Sequence, residues 1–401
     1  MSKIEPRIVV FSSLYPNSSM PRSGLFIRER MRRVAEKTPL VVVSPQPWFP
    51  LQSVIRYFKP GYRQTTANAV EIQNGVTVYF PRFFSLPLLL RRFDGFFMAI
   101  SCLMLMRRLK KEFAFNVIDA HFANPDGLAA TMLGRWLSVP VTITMRGTEV
   151  PHSLLPDKRK PMIAALTAAT HVFSVSDSLR QLAIGFGIDA SKTEVVGNGV
   201  DMARFHAIAN ARQQLDLSLK DEAPVLITVG GLVERKGFHR VIACLPELLE
   251  QFPDLHYLIV GGPSAEGDWS KQLAELAREL ALEKHVHFLG SIDPDQLKLP
   301  LSAANVFVLS TRNEGWANVI LEAMACGLPV VASDVGGNRE VVPDGQLGTI
   351  VPFDDHQALT EAIRSALAKD WDRQLIIKYA KENSWDSRVE QLLRRFGQLV
   401  N

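Results

Sequence analysis

Residues 312–337 read RNEGWANVILEAMACGLPVVASDVGG. Two glutamates, Glu314 and Glu322, stand eight positions apart around a run of small and apolar residues that Gly327 and Pro329 close. The run predicts a helix from Trp316 to Cys326, because a glycine just past the last apolar residue and a proline soon after end helices. The PVVAS that follows, and the VFVLS that precedes at 306–310, have the length and valine content of buried strands. Strand, loop, helix and strand in this order are the repeating unit of a parallel sheet covered on both faces.

The two carboxylates admit three readings. Eight residues along a helix span ~12 Å. Carboxylate pairs that cleave one glycosidic bond stand ~5–9.5 Å apart, so an acid–base pair is disfavoured. A second reading makes Glu314 a first-turn acid favoured by the helix dipole and Glu322 a surface residue. A third places Glu314 in the loop and Glu322 two turns inside the helix, both gripping one extended ligand. The free backbone N–H groups of Gly315, Trp316, Ala317, Asn318 and Val319 then face its anionic part.

Upstream, PVLITVGGLVERKGFHRVIACLPELL (224–249) reads as strand, glycine-rich turn and helix. Gly230 and Gly231 let the backbone approach a ligand, and Lys236 at the helix entrance supplies a point charge of the kind phosphates favour. Alternatively, Lys236 is a solvated lysine at a tight turn. No Gly-x4-Gly-Lys-Ser/Thr loop is present, and no Gly-x-Gly-x-x-Gly follows the first strand.

The alternation holds along all 401 residues. RIVVFSS, LVVVS, VIDAHF and VTITM in the first half, and PVLITVGG, HYLIVGG and VHFLG in the second, are further strand candidates. A chain this long suggests two domains. The boundaries expected are 1–203, 204–380 and a C-terminal helix over 381–401. Lys+Arg number 25 against 14 Asp+Glu in 1–203 and 20 against 27 in 204–401, a balance of +11 and −7. A basic half suits an anionic partner, or simply marks a domain with a different surface. Three cysteines without paired spacing give no disulfide framework and no zinc site, and point to a reducing compartment. The N-terminal apolar run has strand length, not the form of a signal peptide.

The segment RFFSLPLLLRRFDGFFMAISCLMLMRRLKKEFAF (82–115) has an uncharged run of only 12 residues, Gly95 to Met106, short of the ~20 a spanning helix needs. Flanked by Arg91, Arg92, Arg107, Arg108, Lys110 and Lys111, it reads either as an interfacial helix on an anionic membrane or as a core helix with a basic tail.

Together these stretches resemble the family 4 glycosyltransferases, retaining enzymes of the GT-B fold. The likeness is carried by Glu314-x7-Glu322 and the residues after it, VGGLVERKG, VVGNGVDMARF, FSVSDSLRQLA, IDAHFANPDGLAA and PRSGLFIRER. It implies an α/β protein of two Rossmann-like, doubly wound domains facing across a cleft. It also implies transfer of a hexose from a nucleotide-diphosphate sugar, the co-substrate, with no metal and no other cofactor. In this assignment Glu322 takes the ribose hydroxyls and Glu314 the donor sugar, with Gly315 to Val319 near sugar and diphosphate. Lys236 neutralises the leaving diphosphate, Gly24 brings its backbone to the phosphates, and His121 lines the acceptor side. Catalytic candidates are thus His121, Lys236 and Glu314.

The chain departs from the family pattern at Gly231, where arginine is common, and at Arg146 and Glu149, where histidine and aspartate are frequent. Arg235 is a substitute cation, although adjacent residues at a turn are expected to point apart. Asp293-Pro294-Asp295 is read as a helix cap rather than a metal motif. The expected acceptor is a cell-envelope, lipid-linked or polysaccharide molecule, and the expected location is cytoplasmic, peripheral on the inner membrane face. A small soluble acceptor, or a non-catalytic nucleotide-sugar binder, remains an alternative. No nucleic-acid module is present.

Overall fold

The Val/Ile/Leu runs form strands buried on both faces, as parallel strands flanked by helices must be. The computed structural model describes residues 4–401 apart from Arg22, Leu51, Ser53, Val54, Arg56, 58–67, 87–90, Asp216, Ser218, Ala265 and Asp344. Residues 87–90 of the basic–apolar segment thus lie outside the described residues. The chain divides into two units, Met1–Asn198 with Asp386–Asn401, and Gly199–Trp385.

In the first unit the strands are β1 (Ile8–Phe11), β2 (Leu40–Val43), β3 (Gln46–Trp48), β4 (Val70–Gln73), β5 (Val76–Tyr79), β6 (Arg82–Phe84), β7 (Val117–His121), β8 (Val141–Met145), β9 (His171–Ser174) and β10 (Thr193–Val195). Eight of them make one sheet in the order β10-β9-β8-β7-β1-β2-β5-β4, while β3 and β6 pair separately. All neighbours run parallel except β4 and β5. The last helix, Trp385–Val400, sets Val389, Leu392 and Phe396 into the core of this unit beside Ile8, Val10 and Phe173. Arg395 and Gln391 of that helix hold Glu194.

The second unit has β11 (Val225–Val229), β12 (His256–Val260), β13 (Val286–Gly290), β14 (Val306–Leu309), β15 (Val330–Ser333) and β16 (Gly348–Val351). They form one parallel sheet in the order β13-β12-β11-β14-β15-β16. Val225 and Ile227 of β11 enter the core on one face, and Leu226 enters that on the other. Counted within the unit this is the strand order 3-2-1-4-5-6. Its direction reverses between β11 and β14, the place where open α/β sheets bind ligands beyond their strand ends.

Candidate active site

The sequence-selected residues of the second unit gather at that reversal. Beyond β11 come Gly230 and Gly231, then a single 3-10 turn, Glu234–Lys236, and the helix Phe238–Leu249. The Lys236 stem lies over Gly230, where a side chain would begin 3.5 Å from its Cδ. Beyond β14, residues 310–317 form the facing loop. The two loops are tied by Arg312 N–H donating to the Arg235 carbonyl at 2.8 Å.

Glu314 is the hub. Its Oε1 accepts from Lys236 Nζ, and it lies 3.4 Å from Arg235 Nη1 and 3.3 Å from Thr311 Oγ1. Arg235 and Lys236, expected to diverge, therefore converge on one carboxylate oxygen. The longer arginine reaches it after donating to the Asn313 carbonyl at 2.8 Å. Arg235 is also gripped by Glu266, with Nη2–Oε1 2.6 Å and Nε–Oε2 2.8 Å. That bidentate pair raises the Arg235 pKa and lowers that of Glu266. Glu266, in the loop after β12, carried no signal in the sequence.

The helix runs from Asn318 to Ala325, two residues later than expected at its start. Glu314 is consequently a loop residue and not a first-turn acid. Glu322 lies just over one turn inside the helix, not two. The N–H groups of Gly315, Trp316, Ala317 and Val319 donate to no described residue, and Trp316 Nε1 is buried without a partner. Glu322 has no hydrogen-bond partner among the described residues, and loss of hydration pushes its pKa up to about 7 against some attraction from Arg204. The site thus offers unpartnered N–H donors beside two cations held by Glu314 at one end, and an unpartnered carboxylate at the other. Such an arrangement suits a ligand with an anionic middle and hydroxyls to donate.

Backbone shape holds Glu314 in place. Gly336 has φ +52°, and a Cβ there would stand 1.6 Å from the Glu314 carbonyl oxygen. Gly336→Ala is expected to lower the melting temperature by several degrees and raise the donor KM about tenfold, as a melting curve and a donor titration will read.

Asp293 accepts from Asp295 N–H at 2.9 Å and shapes a turn, and the helix proper begins only at Lys298. It is a turn residue, not the helix cap expected. Asp295 pairs with Arg204 at 2.7 Å. Among the described residues no three His, Cys, Asp or Glu side chains gather as a metal-holding group.

In the first unit, Gly24 (φ +68°) opens the helix Leu25–Ala35 and packs so tightly on Leu14 that a Cβ would stand 2.3 Å from its carbonyl oxygen. His121 ends β7, and the order of that sheet reverses between β7 and β1. Its side chain is fully buried. Arg146 directs Nε (3.2 Å) and Nη2 (3.0 Å) at His121 Nδ1. Since arginine only donates, Nδ1 accepts and the ring proton sits on Nε2, 3.5 Å from Asp119. Burial first, then the nearby Arg146 and Arg30 cations, hold the His121 pKa well below its usual value, so the ring is neutral. Arg146 also bonds Asn198 at 2.9 Å and lies over Phe26. Glu149 accepts from the N–H groups of Ala123, Arg146 and Gly147. The departures at 146 and 149 thus form one connected network around His121.

The family pattern described as Glycosyl transferases group 1 matches residues 210–383, and that described as Glycosyltransferase Family 4 matches residues 54–204. The GDP-mannose-dependent alpha-(1-6)-phosphatidylinositol monomannoside mannosyltransferase of Mycolicibacterium smegmatis is 34% identical over 66% of this chain and 70% of its own length. The chain belongs to glycosyltransferase family 4. As a member it is a retaining hexosyltransferase. TuaC of Bacillus subtilis, named for teichuronic acid biosynthesis, is 27% identical over 96% of this chain and 91% of its own. Among solved structures, sucrose-phosphate synthase of Thermosynechococcus elongatus superposes with TM-score 0.77 at 22% identity over 99% of both chains. Anabaena HepE in complex with UDP gives 0.74 at 18% over 98% of this chain and 100% of that one. These likenesses establish the GT-B fold of the glycosyltransferase.

Proposed function

We propose that this glycosyltransferase moves a hexose from a nucleotide-diphosphate sugar to a cell-envelope, lipid-linked or polysaccharide acceptor, with the donor seated on the second unit. The observation that carries the reading is the pairing of a cation-bridged Glu314 with an unpartnered Glu322 eight residues on. Glu322 accepts from the ribose hydroxyls, and the N–H groups of 315–319 meet the diphosphate and the sugar. Breaking the anomeric C–O bond places negative charge on the departing diphosphate. Lys236, released from Glu314 by the ligand, and Arg235 stabilise that charge most in the transition state. Arg235 thereby supplies the cation that Gly231 lacks, while Glu314 turns to the donor sugar hydroxyls. Gly24 and His121 keep, as proposals, the phosphate and acceptor-side roles that the family resemblance gives them. Retention follows from front-face displacement, in which the leaving phosphate takes the acceptor proton.

The acceptor class rests on relatives named for phosphatidylinositol mannoside and teichuronic acid synthesis. Melting curves with UDP-, GDP- and ADP-sugars test the donor claim. A ligand at 100 times its Kd stabilises by ~2.7 kcal/mol, a rise of roughly 5 °C. One nucleotide class is expected to give that rise, and no rise with any of them overturns the reading.

A further inference from the structure

The helix Asp94–Glu112 shows two apolar faces where a core helix needs one. Gly95, Met98, Ala99, Cys102, Met106 and Leu109 are buried. Yet Phe93, Phe96, Ile100 and Met104 are 40%, 43%, 49% and 72% exposed. At ~100° per residue these four fall in one sector of the helix surface, ~16 Å long. Arg107 and Lys111, both exposed, continue the same sector through the last turns, Arg108 borders it on the side of Glu112, 3.5 Å from that carboxylate, and Arg92 stands exposed at its other end. The two acids, Asp94 and Glu112, lie about 100° round to one side. Lys110 leaves the sector on the other side, where its ammonium donates to the Phe115 carbonyl at 2.7 Å. Among the described residues no helix is long and apolar enough to cross a membrane.

We infer that this face docks the enzyme on an anionic lipid bilayer, with the helix lying in the plane of the surface. Phe93, Phe96, Ile100 and Met104 enter the headgroup–acyl boundary, and Arg92, Arg107, Arg108 and Lys111 meet lipid phosphates. The occupant follows from the charge pattern. Apolar side chains bounded at both ends by cations, with the acids set aside, complement an apolar layer beneath an anionic one. A protein partner of mixed surface charge would have no use for that order. The inference stands on the first unit alone and is independent of the donor site.

Sedimentation with sucrose-loaded vesicles of phosphatidylcholine, with and without one-third phosphatidylglycerol, tests it on the full chain. Wild type is expected to bind the anionic vesicles only, and less tightly as salt rises. The Arg107→Ser/Arg108→Ser/Lys111→Ser variant and the Phe96→Ser/Ile100→Ser/Met104→Ser variant should each lose at least about tenfold in partition, whereas Lys110→Ser should lose nothing. No sedimentation with anionic vesicles, or equal sedimentation of every variant, overturns the proposal. So does a wild-type dimer that the Phe96/Ile100/Met104 variant converts to monomer without any vesicle binding, because the face then covers a second copy. The donor-induced melting shift, read on the same proteins, separates the two accounts. Vesicle binding without a donor shift leaves this inference standing and removes the donor reading. A donor shift without vesicle binding does the reverse.

Discussion

Lys236→Ala turns the donor over about 10²–10³-fold more slowly than wild type, with the loss in kcat rather than KM. This is the size of effect expected when one fixed donor to a developing negative charge is removed from a site arranged around it. The lysine is held by Glu314 and is therefore already positioned at the site. Arg235→Ala should cost less, about tenfold, because Glu266 competes for the same guanidinium. Lys236→Arg keeps the charge and should recover part of the rate. Steady-state kinetics on the three variants reads the order directly. A Lys236→Ala enzyme with unchanged kcat would remove the lysine from the chemistry.

Glu322→Gln should be more stable than wild type at pH 8 and bind the donor at least tenfold more weakly. The carboxyl is titrated near 7 in the folded protein and near 4.3 in an unfolded chain. An acid whose folded pKa is raised binds more protons folded than unfolded between those values. Stability is therefore lost as pH rises from about 4.5 to 7, and above 7 the full penalty applies. The amide carries no such penalty, and its melting temperature should exceed wild type by roughly 5 °C at pH 8 and by nothing near pH 4. Both ribose hydroxyls can donate, one to each oxygen, only to the ionised form, because protonation turns one carboxyl oxygen into a donor. Affinity for a nucleotide-sugar, whose diphosphate diester does not titrate here, should thus fall as pH drops through 7 in wild type and stay flat in Glu322→Gln. Calorimetric titration at pH 6 and 8 with melting curves at matched pH checks both halves.

The parallel α/β architecture was legible because buried strands leave continuous apolar runs, such as VLITV at Val225–Val229 and VFVL at Val306–Leu309. Strands with a mixed pattern, β4 and β5 above all, did not stand out, since the exposed Val70 and Ile72 break the link between apolar character and burial. β10 (TEV) and β16 (GTIV) were missed because Glu194 in one, and Gly348 and Thr349 in the other, interrupt the apolar run that marks the similarly short β14 and β15. At the site, the sequence singled out Glu314, Glu322 and Lys236 but not their partners. That Arg235 bends back past Asn313 to share a carboxylate with its neighbour, and that Glu266 holds it, depends on loops meeting in space. The one-turn depth of Glu322 depends on where the helix begins, and no side-chain cap marks that point. The Arg146–His121 pair joins residues 25 apart through strand register, His121 facing Thr144 across β7 and β8.

In the proposed function a nucleotide-sugar lies along the second unit between Lys236 and Glu322. A crystal structure with such a donor bound tests it most directly. Diphosphate oxygens are expected within ~3.2 Å of Lys236 Nζ and of peptide N–H groups in 315–319, with both ribose hydroxyls on the Glu322 carboxylate. A donor seated elsewhere, with Lys236 still bound to Glu314 and Glu322 still unpartnered, would contradict it.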